Sequence, residues 1–424
     1  MVGQNVPQLR LEDILTTKQV DKIINKLLNS GQEWSVVSSD VRQAADGLTG
    51  FLADHLRVTM HLKSGDQEET IRLFLKRLPV NNQPKADFIS SSNYFKREKF
   101  GCRLLDEIRV MNDPHPWCPQ PLVYSDTLIV MDDLSPLGYT VRPQLDTLDL
   151  PHALATVSSI ARFHAATSNY ETRKRFTDDK AWTFAKEYPQ VCDEPTYKDS
   201  PWLRCAAKLT YNFLKIFSKK YNSIPNLESL LLKRYVEACN SLQEYEGTLN
   251  TLIHKDLWMS NIMFRYEKGA PVNAVIIDYQ LLRYGPPAFD LNVFLYLTTT
   301  RQFREQYEKK VLSYYFSEFI RSLENTTKER LEILGYDEAE FLRWCEKSRL
   351  FGAMMAITNF PYVLMDAKTA QKAFDDPETY EKYRDVDRTE PVVAFCYKND
   401  VYRDRQIEIS EEFVERFVEN PLFV

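Results

Sequence analysis

The chain has 424 residues, of which 44% are hydrophobic and 27% are charged, and its formal net charge is -6. This length allows two domains with a sizeable core, and this composition excludes a disordered chain. The acidic balance gives no support for a nucleic-acid partner, and no apolar run approaches the length of a membrane span.

The seven cysteines are scattered along the chain without paired spacing. An odd, dispersed set is typical of reduced thiols rather than of a disulfide framework. The N-terminus lacks the basic-then-apolar pattern of a signal peptide. We therefore expect a cytoplasmic protein.

Two glycines lie between the first two predicted strands. After a predicted helix over 11–28 and a strand over 34–40, Gly47 and Gly50 precede a stretch of strand period over 52–62. Such glycines let backbone N–H groups approach phosphates, as in a kinase glycine-rich loop. An ordinary hairpin turn has the same pattern, so the residues alone leave both interpretations open.

Lys76 ends the next predicted strand, on the face opposite Ile71, Leu73 and Leu75. A lysine on the third strand that faces a cleft is what kinases use to hold the α- and β-phosphates. The alternative is a solvated lysine on a strand edge.

A helix is predicted over about 87–110, and Glu98 lies on its apolar face with Phe95 and Cys102. A buried carboxylate requires a cation, and Lys76 is the candidate. The alternative places Glu98 at the rim of the helix, without this partner.

The stretch from Leu252 to Asp290 carries the strongest chemical signal. Two apolar segments, 262–266 and 273–277, flank a turn over 268–271 and predict a β-hairpin. A hairpin returns to its starting point, so Asn261 and Asp278 should lie at the same end, with Asp256 in the loop before it. Mg²⁺ prefers such carboxylate and amide oxygens, and one carboxylate remains to orient a substrate hydroxyl.

Two other interpretations of these residues are weaker. His254, Asp256 and Asp278 form a poor Zn²⁺ set, because zinc sites favour more histidine or cysteine ligands. They could also be polar surface residues of an ordinary hairpin. The spacing matches the H-x-D-x-x-x-x-N and later aspartate of protein kinases, but the glycine expected two residues after Asp278 is replaced by Gln280. This departure favours small-molecule kinases of the same fold.

At these positions the chain resembles the ecdysteroid-kinase-like, or CHK-kinase-like, family, which lies near the choline kinases and aminoglycoside phosphotransferases. The matching residues are His254, Asp256, Leu257, Trp258, Asn261, Ile277, Asp278 and Gln280. Lys255 departs from the glycine that is usual in the family.

The resemblance implies an α+β, bilobal protein-kinase-like fold, with an antiparallel-sheet lobe over 1–133 that binds nucleotide and a mainly helical catalytic lobe over 134–424. It implies ATP and Mg²⁺ as cofactors, with Asp256 as the catalytic base and Asn261 and Asp278 as metal ligands. It assigns nucleotide binding to Lys76, Glu98, Gly47, Gly50, Asp132 and Leu134, the last two being in the hinge. His254 and Asp290 would brace the catalytic loop.

The function implied is transfer of the γ-phosphoryl group to an alcohol hydroxyl of a small molecule, such as an ecdysteroid-like steroid. The alternatives are a choline- or aminoglycoside-type kinase and a catalytically silent, pseudokinase-like binding module. Cationic acceptors favour acidic and aromatic walls, whereas steroids favour apolar walls.

Overall fold

The structure is a computed structural model, and it describes residues 9–28, 31–44, 52–109, 113–177 and 180–420. Gly47 and Gly50 lie outside these ranges, so their predicted contact with phosphate stays a prediction.

In the residues that the structure describes, a five-stranded antiparallel sheet and three α-helices form the first lobe. The sheet order is β1-β2-β3-β5-β4. In chain order the elements are α1 (Thr17–Leu28), β1 (Ser35–Gln43), β2 (Asp54–Ser64), β3 (Gln67–Arg77), α2 (Gln83–Ser91), α3 (Tyr94–Ile108), β4 (Pro121–Tyr124) and β5 (Leu128–Asp132). The alternation in β2 and β3 buries Leu56, Val58 and Leu73 in a core shared with α1. Their other face is thereby left for polar side chains.

The single helix predicted over 87–110 is wrong, because the structure has two helices there. Asn82 caps α2 by accepting the Lys85 N–H at 3.0 Å. Asn93 then adopts a left-handed conformation, with φ of 58°, and separates α2 from α3. Asparagine tolerates this conformation better than most residues, but its position in an otherwise helical pattern gave no clear signal.

Helices dominate the second lobe. Its elements are β6 (Tyr139–Val141), α4 (Leu150–Thr177), α5 (Phe184–Glu187), α6 (Pro201–Phe217), α7 (Leu227–Ser241), β7 (Thr251–Ile253), β8 (Ile262–Glu267), β9 (Ala270–Ile276), β10 (Arg283–Gly285), α8 (Ala288–Thr298), α9 (Arg301–Ser322), α10 (Asn325–Leu334), α11 (Glu338–Lys347), α12 (Arg349–Val363), α13 (Ala367–Phe374), α14 (Thr389–Cys396) and α15 (Asp400–Phe413). Helix α8 has no exposed polar face, because its polar residues Asp290, Asn292 and Thr298 are buried with its apolar ones along its whole length. It therefore forms the centre of this lobe, as expected of a helix without a polar face.

The predicted hairpin is present as β8 and β9. Ile262 pairs with Ile276, and the turn contains Lys268 and Gly269, both with positive φ. Beyond the last pair, the Ile277 N–H donates to the Asn261 carbonyl at 3.0 Å. Asn261 and Asp278 consequently lie side by side at the open end of the hairpin.

An antiparallel-sheet lobe joined to a mainly helical lobe confirms the predicted fold class. The placement of the lobe boundary at residue 133 stays a prediction. Within the described ranges no single helix is long and apolar enough to cross a membrane, although α12 and α13, which meet at 95°, pass by length and composition as a bent pair.

Candidate active site

Lys76, Glu98 and Asp278 form one buried ion cluster. The Lys76 Nζ lies 2.9 and 2.8 Å from the two carboxylate oxygens of Glu98. It also lies 2.7 Å from the Asp278 Oδ1. Lys76 and Glu98 are both 2% exposed, so the alternatives of a solvated lysine and a rim glutamate are wrong.

Close packing of α3 brings Glu98 to this cluster. Gly101 lies one turn after Glu98, and a Cβ there would be 2.8 Å from Leu282 Cδ1 and 3.4 Å from Tyr279 Cβ. An added methyl group would have to displace the end of the Leu282 side chain. The glycine is therefore favoured by this close approach and not by its backbone conformation, which is helical.

Burial and the attraction between opposite charges shift the pKa values of Lys76, Glu98 and Asp278 in opposite directions. Burial alone would lower the pKa of Lys76, but the carboxylates of Asp278 and Glu98 outweigh it and raise that pKa. Burial would raise the pKa of Asp278, but the Lys76 ammonium outweighs it and lowers that pKa. For Glu98 burial prevails and raises the pKa to about 7. Lys76 and Asp278 are thus a charged pair at neutral pH.

Asp290 fixes the backbone of the loop over 254–256. Its Oδ2 accepts the His254 N–H at 2.6 Å, and its Oδ1 accepts the Lys255 N–H at 2.7 Å. The His164 Nε2 lies 3.0 Å from the Asp290 Oδ2. His164, His254 and Lys255 are all buried, so these N–H groups have no access to water.

His254 braces the same loop with its ring. Its Nε2 lies 3.0 Å from the Ile277 carbonyl, and its Nδ1 lies 3.2 Å from the Asp256 N–H. A neutral ring that donates from Nε2 and accepts at Nδ1 satisfies both contacts. Burial lowers the pKa of His254, which favours this neutral form.

Asp290→Asn should destabilise the fold. The amide NH₂ of asparagine must face one of the donors that now contact a carboxylate oxygen, and leaving a buried donor without an acceptor costs about 1–3 kcal/mol. Urea unfolding followed by circular dichroism measures the loss. Asp337→Asn is the matched control, because Asp337 caps α11 at the surface and asparagine is an equally good cap. Equal stability of the two variants would contradict the bracing role of Asp290.

Asp256 and Asn261 are hydrogen-bonded to each other. The Asn261 Nδ2 donates to the Asp256 carbonyl at 2.9 Å and to its Oδ2 at 3.0 Å. Burial, and secondly the charge of Asp278, raises the pKa of Asp256 to about 7. At neutral pH a carboxyl group with such a pKa is partly ionised, and its ionised form can accept a proton.

The oxygens of Asn261 and Asp278 fit Mg²⁺. The amide of Asn261 uses its nitrogen toward Asp256, which leaves its oxygen for another partner. Among the residues that the structure describes, the Asp278 Oδ2 accepts a hydrogen bond from Gln280 alone, at 3.3 Å. Among the described residues no group of three or more His, Cys, Asp or Glu side chains could hold a metal ion. Mg²⁺ commonly takes one or two protein oxygens together with phosphates and water, so a two-residue set is sufficient for it.

Two cavities adjoin these side chains, and they are called the larger and the smaller cavity. The larger cavity, of about 500 Å³, lies between the two lobes and contains Lys76. Its walls include Phe74, Met131, Met263 and Ile277. The predicted hinge residues Asp132 and Leu134 line it, whereas Glu98 contacts it only through Lys76. The Asp132 Oδ1 also accepts the Gln120 N–H at 2.6 Å.

The smaller cavity, of about 150 Å³, contains Asp256, and eight of its eighteen lining residues are aromatic. These are Phe88, Tyr94, Tyr197, Trp202, Trp258, Tyr362, Phe374 and Tyr380. The two cavities share Asn261 and Asp278 as lining residues, together with Trp258, Tyr362 and Val363. The predicted metal ligands therefore lie where the cavities meet.

Sequence reasoning missed several lining residues. His55 pairs with Lys76 across β2 and β3 and lines the larger cavity, and its strand alternation could have revealed it. Burial, with the charge of Lys76, lowers the pKa of His55 to about 3. Thr196, Tyr197 and Arg384 line the smaller cavity, but they come from segments without a recognisable motif.

The model of the ecdysteroid kinase-like family matches residues 48–327, which is about two thirds of the chain. The matched range contains all the predicted site residues except Gly47. The chain belongs to the ecdysteroid kinase-like family. The predicted resemblance is thereby confirmed.

One curated relative of this ecdysteroid kinase-like protein is the 4-hydroxytryptamine kinase of Psilocybe cyanescens. It is 28% identical over 94 residues, which cover 22% of this chain and 24% of the relative. The chain thus aligns with about a quarter of that protein's length.

Several solved structures were also found to be similar. The GDP complex of wild-type aminoglycoside 2'-phosphotransferase-IIIa is 11% identical, with 94% of this chain and 98% of that chain covered and a TM-score of 0.33. A choline/ethanolamine kinase family protein from Mesorhizobium loti is 13% identical, with 93% and 98% covered and a TM-score of 0.30. TM-scores and sequence identities this low support no inference about function. The assignment therefore rests on the family match and the observed architecture.

Proposed function

We propose that this protein is an ATP- and Mg²⁺-dependent kinase that transfers the γ-phosphoryl group to a hydroxyl of a small molecule. The observation that carries this proposal is the meeting of the two cavities at Asn261 and Asp278, with Lys76 in one cavity and Asp256 in the other. A phosphoryl donor and an acceptor must be held on opposite sides of the transferred group, so this arrangement suits direct transfer.

In the larger cavity Lys76 would hold the phosphates, and Glu98 would keep its ammonium in place. Asp132 and Leu134 would border the base of the nucleotide. Asn261 and Asp278 would hold Mg²⁺, which supplies positive charge that neutralises the phosphate oxygens when it is bound.

In the smaller cavity Asp256 would orient the acceptor hydroxyl. The hydroxyl oxygen forms a bond to the γ-phosphorus while the bond from that phosphorus to the β–γ bridging oxygen breaks. The hydroxyl proton passes to the Asp256 carboxylate. His254 and Asp290 would act indirectly, by fixing the loop that carries Asp256.

Aromatic walls suit both cations and apolar rings, and the lack of an acid outside the proposed catalytic machinery, among the described lining residues, favours an uncharged, apolar alcohol or phenol in the smaller cavity. Asp256 and Asp278 are the only acids among its described lining residues, and both belong to the proposed catalytic machinery. Arg384 also lines the cavity, and its guanidinium pairs with Asp385 at 2.5 Å, so it adds little net charge there. The similarity to a 4-hydroxytryptamine kinase also supports a hydroxyl acceptor. At 150 Å³ the cavity is below the roughly 300–1,000 Å³ typical of ligand pockets, so a steroid would have to displace a wall.

Seven free cysteines support a reducing, cytoplasmic setting. The presence of Lys76, Glu98, Asp256, Asn261 and Asp278 together argues against a silent binding module, because such modules need none of them.

Calorimetry of Mg-ATP binding tests the donor half of the proposal. We expect wild type to bind Mg-ATP at one site, and Lys76→Met or Glu98→Gln to weaken it strongly. Because the two side chains act as one unit, the double variant should lose about as much affinity as either single variant. Lys99→Met with Asp126→Asn is the control cycle, since this pair is separated by 3.1 Å and lies half-exposed at the surface. Failure of wild type to bind ATP would overturn the proposed function, and additive losses would contradict the Lys76–Glu98 unit.

A further inference from the structure

Lys255 occupies a backbone position that suits glycine. Its φ is 68°, in the left-handed region, which costs an L-residue with a side chain roughly 1–2 kcal/mol. Its backbone N–H is held by Asp290. Backbone strain of this kind persists where surrounding contacts hold the residue in place. A contact made by the long side chain would therefore account for a lysine at this position.

That contact is a buried ion pair with Glu194, which lies 61 residues earlier in the chain. The Lys255 Nζ lies 2.5 Å from the Glu194 Oε2, and the two side chains are 1% and 14% exposed. Burial would raise the pKa of Glu194, but Lys255 outweighs it and lowers that pKa, so the glutamate is ionised. The pair therefore links the loop that carries Asp256 to a distant segment.

The other oxygen of Glu194 organises a wall of the smaller cavity. Its Oε1 accepts the N–H groups of Thr196 at 3.0 Å and of Tyr197 at 2.9 Å. Both residues line the smaller cavity with Asp256. A single carboxylate thus contacts the catalytic loop through one oxygen and the cavity wall through the other.

Side-chain contacts also hold the Tyr197 ring in place. The Lys255 Nζ lies 5.1 Å from its centroid, within the range of a cation–π contact. The Asn359 Nδ2 donates to its hydroxyl at 3.0 Å. Trp202, another lining residue, packs edge-on against the ring at 5.6 Å. The position of this aromatic wall therefore depends on Lys255.

We propose that Lys255 and Glu194 are positioning residues that hold the Tyr197 wall at a set distance from Asp256 and so determine which acceptors bind. This inference rests on the proposed function, in that the smaller cavity is taken as the acceptor site. The pair acts through Tyr197. It does not line the larger cavity, so nucleotide binding there should be unaffected.

The test compares Lys255→Met, Glu194→Gln and the double variant. Replacing one partner leaves the other charge buried and lowers stability, whereas the double variant removes both charges and should fold. Fluorine NMR of protein labelled with fluorotryptophan reports the wall through Trp202, whose resonance is assigned with Trp202→Phe. We expect this resonance to shift in the single variants and by a similar amount in the double variant.

For an acceptor that is phosphorylated, the acceptor KM should rise about tenfold, the equivalent of one lost aromatic contact, while the affinity for Mg-ATP stays unchanged. Lys255→Gly relieves the backbone strain but also removes the ion pair, so it should behave like Lys255→Met. Lys26→Met is the matched control, because Lys26 is paired with Asp106 at 2.6 Å and lines neither cavity.

An unchanged Trp202 resonance in Lys255→Met would overturn the inference, as would wild-type behaviour of Lys255→Gly. A loss of Mg-ATP affinity equal to the loss of acceptor affinity would also overturn it, because it would indicate a general structural role. If no acceptor is phosphorylated, the proposed function fails and the claim about acceptors fails with it, whereas the Trp202 resonance still tests whether Lys255 and Glu194 position the Tyr197 wall.

Discussion

Asp256→Asn should lower kcat by roughly 10²–10⁴-fold, the usual contribution of a general base. Asparagine has the same size and keeps a carbonyl oxygen for the Asn261 amide, which now donates to Asp256 at 3.0 Å, but it cannot take the hydroxyl proton. The affinity for Mg-ATP should remain that of wild type, because Asp256 lines only the smaller cavity. Single-turnover phosphorylation, together with calorimetry, measures both quantities.

Asp126→Asn is the control for this change, since Asp126 is a half-exposed aspartate in the surface ion pair with Lys99. Near-full kcat in Asp256→Asn would remove Asp256 from the reaction. Loss of nucleotide binding together with unfolding would instead identify Asp256 as a structural brace.

The same variant should be more stable than wild type at alkaline pH when Mg²⁺ and nucleotide are withheld. The pKa of Asp256 is raised by burial to about 7 in the folded protein, from an ordinary value of 3.8. Its stabilising contribution is therefore present below the ordinary pKa and is lost as pH rises to about 7. Asp256→Asn should raise Tm at pH values above 7 and leave it nearly unchanged at acidic pH near 4. A gain of equal size at both pH values would contradict the burial of an ionised Asp256.

Asp278→Asn should abolish most of the Mg²⁺-dependent affinity for ATP, by at least about 100-fold, since even residues outside the first ligand shell contribute 10–100-fold to metal sites. The variant keeps the side chain's shape but removes the charge beside Lys76 and the carboxylate offered to the metal. Its backbone should persist, because Asp278 has a φ of 72° and asparagine tolerates this left-handed conformation well.

A Mg²⁺ titration at fixed ATP measures the effect as a shift of the binding midpoint to higher metal concentration. Asp126→Asn again supplies the same chemical change away from the site. An unchanged midpoint with unchanged turnover would exclude Asp278 as a ligand.

Local patterns in the sequence were sufficient to predict which charged side chains meet beside the larger cavity. Strand alternation placed Lys76 on the cleft face, helical spacing placed Glu98 on the buried face of its helix, and a hairpin brought Asn261 beside Asp278. Each of these inferences needs only the period of one element or the closure of one turn.

The smaller cavity could not be predicted in this way. Its wall combines α2, the segment around Tyr197, the end of α12 and the segment around Arg384. Contacts between such distant segments depend on tertiary packing, which no local period encodes. The Lys255–Glu194 pair is of the same kind, because its partners lie 61 residues apart in the chain.

The central claim, that phosphoryl transfer occurs between the two cavities, is tested most directly by incubating the protein with Mg-ATP and a panel of hydroxylated compounds. The panel should include steroids, aromatic alcohols, phenols, choline and an aminoglycoside, and mass spectrometry should follow each compound. We expect an uncharged, apolar alcohol or phenol to gain the mass of one phosphoryl group with wild type and not with Asp256→Asn. ATP binding without transfer to any compound in the panel would contradict the claim and favour a silent binding module, and transfer confined to choline or the aminoglycoside would contradict the assigned acceptor class.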